Sequence, residues 1–414
     1  MLKNRKNRKG IVMSRASDIF AQFEKNGSKA LDIIRKRAFS PDFSKCLRKW
    51  GINDASAMVG RSRKTILDLE KEGKLPAPEI DTSSGRRVYS LSHINKLRNH
   101  FGTRPSKPAG ASPAVIAVTN FKGGVWKTTT CVNAAHYFAL KGYRVLFIDA
   151  DSQGSGTQCF GYIPDTDIDD DSTLLPYLLD ETSSLESSIR QTYWDGLDLI
   201  PANLALYGAE FELPVKNARL QTQGKQFHFY DILRKGIEDL KDKYDIILID
   251  CPPSMGMISI NAIYSASALL IPIPPSMLDF SSTIQFFGML NDVLRRIPDK
   301  EYSFIRLLVT KYEKSEKTRE LVDTIRQLYG TYVQMAVMPN SEAIKKIGTD
   351  MQSVYEVEKY SGNKKTLDRI RLASDEANNE LEDLINKSWK LLSLVSKQTR
   401  LQTIEAVQHS EVIS

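Results

Sequence analysis

Residues 114–130 read AVIAVTNFKGGVWKTTT, and the change of character within them fixes the expected fold. AVIAV is short, apolar and partly β-branched, the pattern of a strand buried on both faces. The continuation TTCVNAAHYFALKG is helical in character and closes on glycine. Between them, Gly123 and Gly124 let backbone N–H groups approach phosphate oxygens, and the helix start adds partial positive charge. Lys127 brings a full charge to the β- and γ-phosphates, and the Thr128 hydroxyl can ligate Mg2+. The expected nucleotide loop is Gly123, Gly124, Val125, Trp126, Lys127, Thr128 and Thr129. Trp126 stands where such loops usually carry glycine. Its ring is expected either over the loop or the seam between subunits, slowing turnover, or packed on a neighbouring helix without effect.

Two further segments point to the same edge of a sheet. RVLFIDADSQG ends a strand with Asp149 and Asp151, and YDIILIDCPPSMG ends another with Asp250, placed to hold a hydrated metal ion. With LDLIPA, ALLIPIP, IRLLVT and YVQMAVM, these short apolar runs alternate with helical stretches. That alternation predicts an α/β, doubly wound, mostly parallel sheet over residues 113–400, with a disordered tail at 401–414.

The 414 residues carry 57 Lys+Arg against 50 Asp+Glu, but unevenly. Residues 1–110 hold 25 basic against 10 acidic side chains, leaving 32 against 40 for the rest. A basic segment joined to a differently charged domain is the footprint of nucleic-acid binding. Cys46, Cys131, Cys159 and Cys251 lack metal-ligand spacing and read as reduced thiols of an intracellular protein. No apolar stretch approaches the roughly 20 residues of a membrane helix, and no signal-peptide core follows the basic N-terminus.

Residues 1–50 are expected to form a basic, helical extension, with Ile19, Phe20, Phe23, Leu31, Ile33 and Ile34 as packing positions and a second copy as one candidate to pack against. In 51–102, NDASAMVG and RSRKTILDLEKEG predict helix, tight turn, helix, with caps at Asn53 or Asp54, and stops at Gly60 and Gly73. A hairpin with its tip near Ser84–Gly85 and a third helix capped by Ser90 or Ser92 follow. TRPSKPAGAS, 103–112, reads as a linker. The middle unit resembles the MerR-type winged helix-turn-helix. Arg61, Ser62, Arg63, Lys64 and Thr65 then begin the recognition helix, and Arg86 and Arg87 sit on the wing, facing operator DNA.

KGGVWKTTT, DADSQG, DCPPSMG with Asn261 downstream, IPIPPSMLD and VMPNSEAIKK resemble the ParA-type partition ATPases of the deviant Walker A (MinD/ParA) class. The long plasmid forms with an N-terminal DNA-binding extension, such as the RepA proteins of repABC-type replicons, are the most similar. The resemblance implies ATP and Mg2+ as ligands and ATP-dependent homodimerisation, with Lys122 reaching the partner's phosphates and Lys127 its own. Asp151 would orient the attacking water and Asp250 hold Mg2+ through water. It also implies nonspecific DNA binding, with Lys345, Lys346, Lys364, Lys365, Arg369 and Arg371 as candidates, a ParB-like partner, and a cytoplasmic, nucleoid-associated location without membrane binding. Two other readings are a repressor using nucleotide only as a ligand, and a MinD-like membrane ATPase. The latter would use the apolar stripe Leu381, Leu384, Ile385, Trp389 and Leu392.

Overall fold

The computed structural model describes residues 45–298, 300–358 and 362–412, with side chains to residue 394, and parts of 16–29. The chain divides into two compact units, Met1–Cys46 and Leu47–Ser414. In the first, the described residues between 16 and 29 are helical, with Phe20 and Phe23 exposed and edge-on at 6.2 Å. Leu31, Ile33 and Ile34 lie outside the described residues.

The second unit opens with the winged helix-turn-helix. Strand β1 (Trp50–Gly51) pairs antiparallel with β3 (Arg87–Tyr89), which pairs with β2 (Glu79–Ile80). Helix α1 (Ile52–Val59) starts at Gly51 rather than at a capping Asn53 or Asp54, because β1 pairing runs straight into it. Gly60, in the left-handed conformation, stops it as expected. Helix α2 (Arg63–Lys71) is capped by Ser62, whose hydroxyl accepts the Thr65 N–H, and Ser90 caps α3 (Leu91–Phe101) in the same way.

Eight strands form the main sheet in the order β11-β10-β9-β4-β8-β5-β7-β6. All seven expected strands are present: β4 (Ala114–Val118), β5 (Val145–Asp149), β7 (Leu197–Ile200), β8 (Ile246–Asp250), β9 (Ala268–Ile273), β10 (Phe304–Tyr312) and β11 (Val333–Pro339). They pair in parallel, and the one antiparallel edge, β6 (Arg190–Gln191), is a two-residue strand too short to leave a periodic signal. The reversal of order beside β4 puts the end of β4 at the sheet's switch point, where ligands bind in such folds.

The stretch 103–113 contains no regular element, as a linker should, yet it is pinned. Thr103 Oγ1 donates to Val59 O at 2.8 Å, Arg104 Nε to Gly142 O at 2.7 Å, and the Lys107 N–H to Asp245. Trp50, Ile66, Tyr89 and Leu97 of the winged unit share one buried core with Phe138, Tyr143 and Val145 of the sheet domain. Arg98, 3% exposed, bridges them: it donates to Met58 O, Asn95 Oδ1 and Leu140 O at 2.7–3.1 Å. Leu140 lies in the last turn of α4 (Lys127–Lys141), so Arg98 satisfies a carbonyl that the helix itself leaves open.

The final helix runs Lys364–Val412, through the stretch expected to be a disordered tail. No glycine or proline follows Gly362, so nothing in the sequence breaks it. The stripe weighed as a membrane face points inward at Leu381, Ile385 and Trp389, each at most 3% exposed, and Trp389 Nε1 donates to Ser112 O. Among the described residues no helix is long and apolar enough to cross a membrane.

Candidate active site

The phosphate loop occupies residues 119–126 between β4 and α4. Gly124 and Trp126 both adopt the left-handed backbone, at φ 73° and 71°. This explains why glycine is usual before the lysine: a side chain here costs about 1–2 kcal/mol in backbone strain. The Trp126 ring offsets part of that cost. It packs half-buried against the core, with the Lys311 ammonium 5.9 Å from its centroid. Lys311 is itself left-handed, at an irregularity near the end of β10, and neighbouring Thr310 donates to Val125 O at 3.0 Å.

The two lysines of the loop point differently. Lys127 is 6% exposed and donates to Lys122 O at 3.0 Å. Burial lowers its pKa, against the opposing influence of Asp250, Cys251 and Asp151. Lys122 instead reaches Asp279 Oδ1 at 2.5 Å, on the first turn of α7 (Met277–Leu294). Burial of Asp279 is outweighed by Lys122 and Ser276, and its pKa falls below the ordinary value.

Asp149 and Asp250 end β5 and β8, Asp151 lies just beyond β5, and the three differ in their surroundings. Asp149 is fully buried and accepts the Thr157 N–H and hydroxyl at 2.7 and 2.8 Å, so it anchors the turn after β5. Burial nonetheless pushes its pKa up to about 7. Asp151, 9% exposed, lines the cavity and accepts the Gln153 N–H. Asp250 is fully buried, and neither carboxylate oxygen has a hydrogen-bond partner among the described residues. Burial and Asp149 raise its pKa well above normal, against smaller lowering influences of Thr128 and Lys127. A buried, unpartnered carboxylate beside a threonine hydroxyl and a lysine fits a bound cation, so the residues present suit Mg2+.

A cavity of about 400 Å3 runs from Gly123, Gly124, Lys127 and Thr128 past Asp151 to an apolar end at Met338, Ile344, Ile347 and Val354. A polar phosphate end and an apolar base end suit a nucleoside triphosphate. The loop closing the apolar end is tied to α4 by Val354 N–H donating to Asn133 Oδ1 at 3.1 Å. Arg371 holds it from the other side, donating to Val354 O and Val357 O. Arg371, a DNA-contact candidate by the family resemblance, is thus turned inward, because burial of the loop carbonyls demands a donor.

Arg61, Ser62, Arg63, Lys64 and Thr65 are all exposed at the start of α2. Ser62 and Thr65 bond each other, and Arg61 stacks over Phe101 while donating to Gly60 O. Arg86 is exposed at the wing, but Arg87 pairs with Glu70 of α2, which also accepts the Tyr89 hydroxyl. This pair fastens the wing to the helix. Of the C-terminal lysines, Lys345 pairs with Glu342 at 2.7 Å on α8 (Glu342–Thr349), and Lys346, Lys364, Lys365 and Arg369 are exposed.

A family model described as MerR HTH family regulatory protein matches residues 51–100, and one described as AAA domain matches 113–301. Escherichia coli (strain K12) Protein SopA is 34% identical over 375 residues, spanning 88% of this chain and 95% of that protein. The chain belongs to the ParA-type partition ATPases. Bacillus subtilis Soj, a sporulation initiation inhibitor protein, is 38% identical over 159 residues, 38% of this chain and 57% of Soj. A solved structure titled Partition Protein superposes over 86% of this chain and 98% of its own, at 20% identity and a TM-score of 0.59, a likeness of fold. As a ParA-type protein, the chain is a P-loop ATPase using ATP and Mg2+, and its helix-turn-helix fits DNA binding and repression.

Proposed function

We propose that this ParA-type ATPase forms an ATP-dependent homodimer in which Lys122 of each subunit serves the other's phosphates. The observation that carries the reading is the divergence of the two loop lysines: Lys127 lies in its own site, while Lys122 is held outside it by Asp279. A second copy also suits the exposed stripe Leu204, Tyr207, Phe211 and Val215, each 52–70% exposed. The stripe begins in a cavity lined by Leu204 and Tyr207 together with Asp151, so it is continuous with the site.

In the closed dimer, Lys127 neutralises β/γ-phosphate charge and the trans Lys122 disperses the charge that grows in the transition state. Asp151 accepts a hydrogen bond from the attacking water. Thr128 and Asp250 hold Mg2+, which supplies further charge neutralisation when bound. Steady-state ATPase assays test the site: Lys127→Ala should fall to background, and a variant as active as wild type would contradict the assignment.

Arg61, Arg63, Lys64 and Arg86 read the operator, and Lys345, Lys346, Lys364, Lys365 and Arg369 grip nucleoid DNA nonspecifically. Nucleoid association, autorepression and a ParB-like partner that stimulates hydrolysis complete the reading. Arg63→Ala should weaken operator binding by about 1–3 kcal/mol and leave nonspecific binding intact. An unchanged operator affinity would remove Arg63 from the interface.

A further inference from the structure

The 251–256 turn after Asp250 contains two prolines and leads directly into helix α6 (Met257–Ser265). That helix has no cap of its own: its N-cap is Gly256, which offers no side chain. The cap comes from another element. Glu210, in the first turn of α5 (Ala209–Thr222), accepts the Met257 N–H at 2.6 Å and the Ile258 N–H at 3.2 Å. An ionised carboxylate at a helix N-terminus satisfies open donors and complements the helix dipole.

The approach is so close that any side chain at position 256 must push the Glu210 carboxylate away. A Cβ there would stand 2.3 and 2.4 Å from the two carboxylate oxygens of Glu210. The turn so held reaches the chemistry at two points: it begins at Asp250, and its Pro253 lies 3.9 Å from where a Cβ of Gly123 would be. Glu210 also lines one cavity of about 280 Å3 together with Asp151, Gln153 and Pro253.

We infer that Glu210 is a positioning residue of ATP hydrolysis, holding the 251–256 turn, and through it Asp250, at the magnesium end of the site. It touches neither nucleotide nor metal; it acts through the backbone it caps. Residues that orient a metal ligand from behind typically change affinity or rate by about 10–100-fold when removed. The inference rests on the assignment of Asp250 to Mg2+.

The test measures kcat, KM for ATP and, by titrating the complex with a nonhydrolysable ATP analogue, the magnesium concentration giving half-saturation in full-length Glu210→Ala, Glu210→Gln, Gly256→Ala, the double variant and Asp250→Asn. Glu210→Ala should lower kcat and raise the magnesium requirement, each about tenfold, with KM for ATP moving less than about twofold. Glu210→Gln should recover part of both, since an amide oxygen accepts one N–H while its NH2 accepts none. Gly256→Ala should reproduce the Glu210→Ala defect by displacing the carboxylate, and the double variant should be no worse than Glu210→Ala. A magnesium requirement unmoved in Glu210→Ala, while Asp250→Asn shifts it, overturns the role of Glu210 alone. If Asp250→Asn leaves it unmoved, the metal assignment itself fails. Should Glu210→Ala not fold, Glu210→Gln carries the same test, and an unchanged magnesium requirement there overturns the inference.

Discussion

Lys122 Nζ lies 2.5 Å from Asp279 Oδ1, an ion pair across 157 positions of sequence that neutralises the loop's second lysine within its own subunit. Both side chains are partly exposed, at 34% and 22%, so the pair is solvent-screened and worth about 0.2–1 kcal/mol. That is small enough to be exchanged for a partner's phosphates. Two such pairs are exchanged per dimer, so Asp279→Asn should lower the protein concentration needed for ATP-dependent dimerisation by up to about thirtyfold. Sedimentation of both proteins with a nonhydrolysable analogue checks this, and a higher threshold in the variant would count against the latch.

Asp250 and Asp149 make the site pH-sensitive. Burial raises both carboxyls, Asp149 to about 7. A carboxyl raised on folding takes up protons in the native state. The stabilising contribution of Asp149 is complete below about pH 4 and fades as pH rises through about 7, and that of Asp250 fades in the same sense. Asp250→Asn removes the buried charge. It should be more stable than wild type on the alkaline side, where the wild-type carboxyl ionises, with the gap closing as pH falls and that carboxyl takes up its proton, and should lack ATPase activity. Urea unfolding without magnesium or nucleotide measures the difference; a wild type more stable on the alkaline side would reverse the sign and refute the argument.

Trp126 pays a backbone penalty that glycine would not. Trp126→Ala keeps the left-handed strain and loses the ring, whereas Trp126→Gly loses the ring and the strain together. The glycine variant should be the more stable of the two by about 1 kcal/mol, and both should retain hydrolysis because Lys122, Lys127 and Thr128 are untouched. Equal unfolding midpoints would mean that the loop relaxes in the alanine variant.

Arg98 ties the DNA-binding unit to the end of the nucleotide-binding helix. Its removal leaves the Leu140 and Met58 carbonyls without their donor. Arg98→Ala should cost about 2–4 kcal/mol and separate the winged unit's melting from that of the ATPase domain in calorimetry. One unchanged transition would show that the shared core suffices.

What could be read in the sequence was whatever chemistry is carried by neighbours along the chain. Lys127 and Thr128 follow close behind the glycines, Asp250 closes an apolar run, and Ser90 precedes a helix, so their places can be read from spacing. Asp279 and Glu210 are not legible in the same way, although Asp279 ends the motif IPIPPSMLD. Their partners are Lys122 and the Met257 N–H, and only the sheet order brings these elements together. Arg87 and Arg371 show the converse. An arginine in a basic segment looks free until a buried Glu70, or the carbonyls of Val354 and Val357, are seen to claim it.

The most direct measurement is complementation between two inactive proteins, Lys122→Ala and Asp151→Ala, mixed in equal amounts with ATP and Mg2+. If Lys122 acts in trans, each mixed dimer holds one complete site, supplied with Lys122 by the Asp151→Ala subunit. Random pairing then restores about a quarter of the wild-type rate. A mixture as inactive as its components would mean that Lys122 serves its own subunit, and would contradict the account.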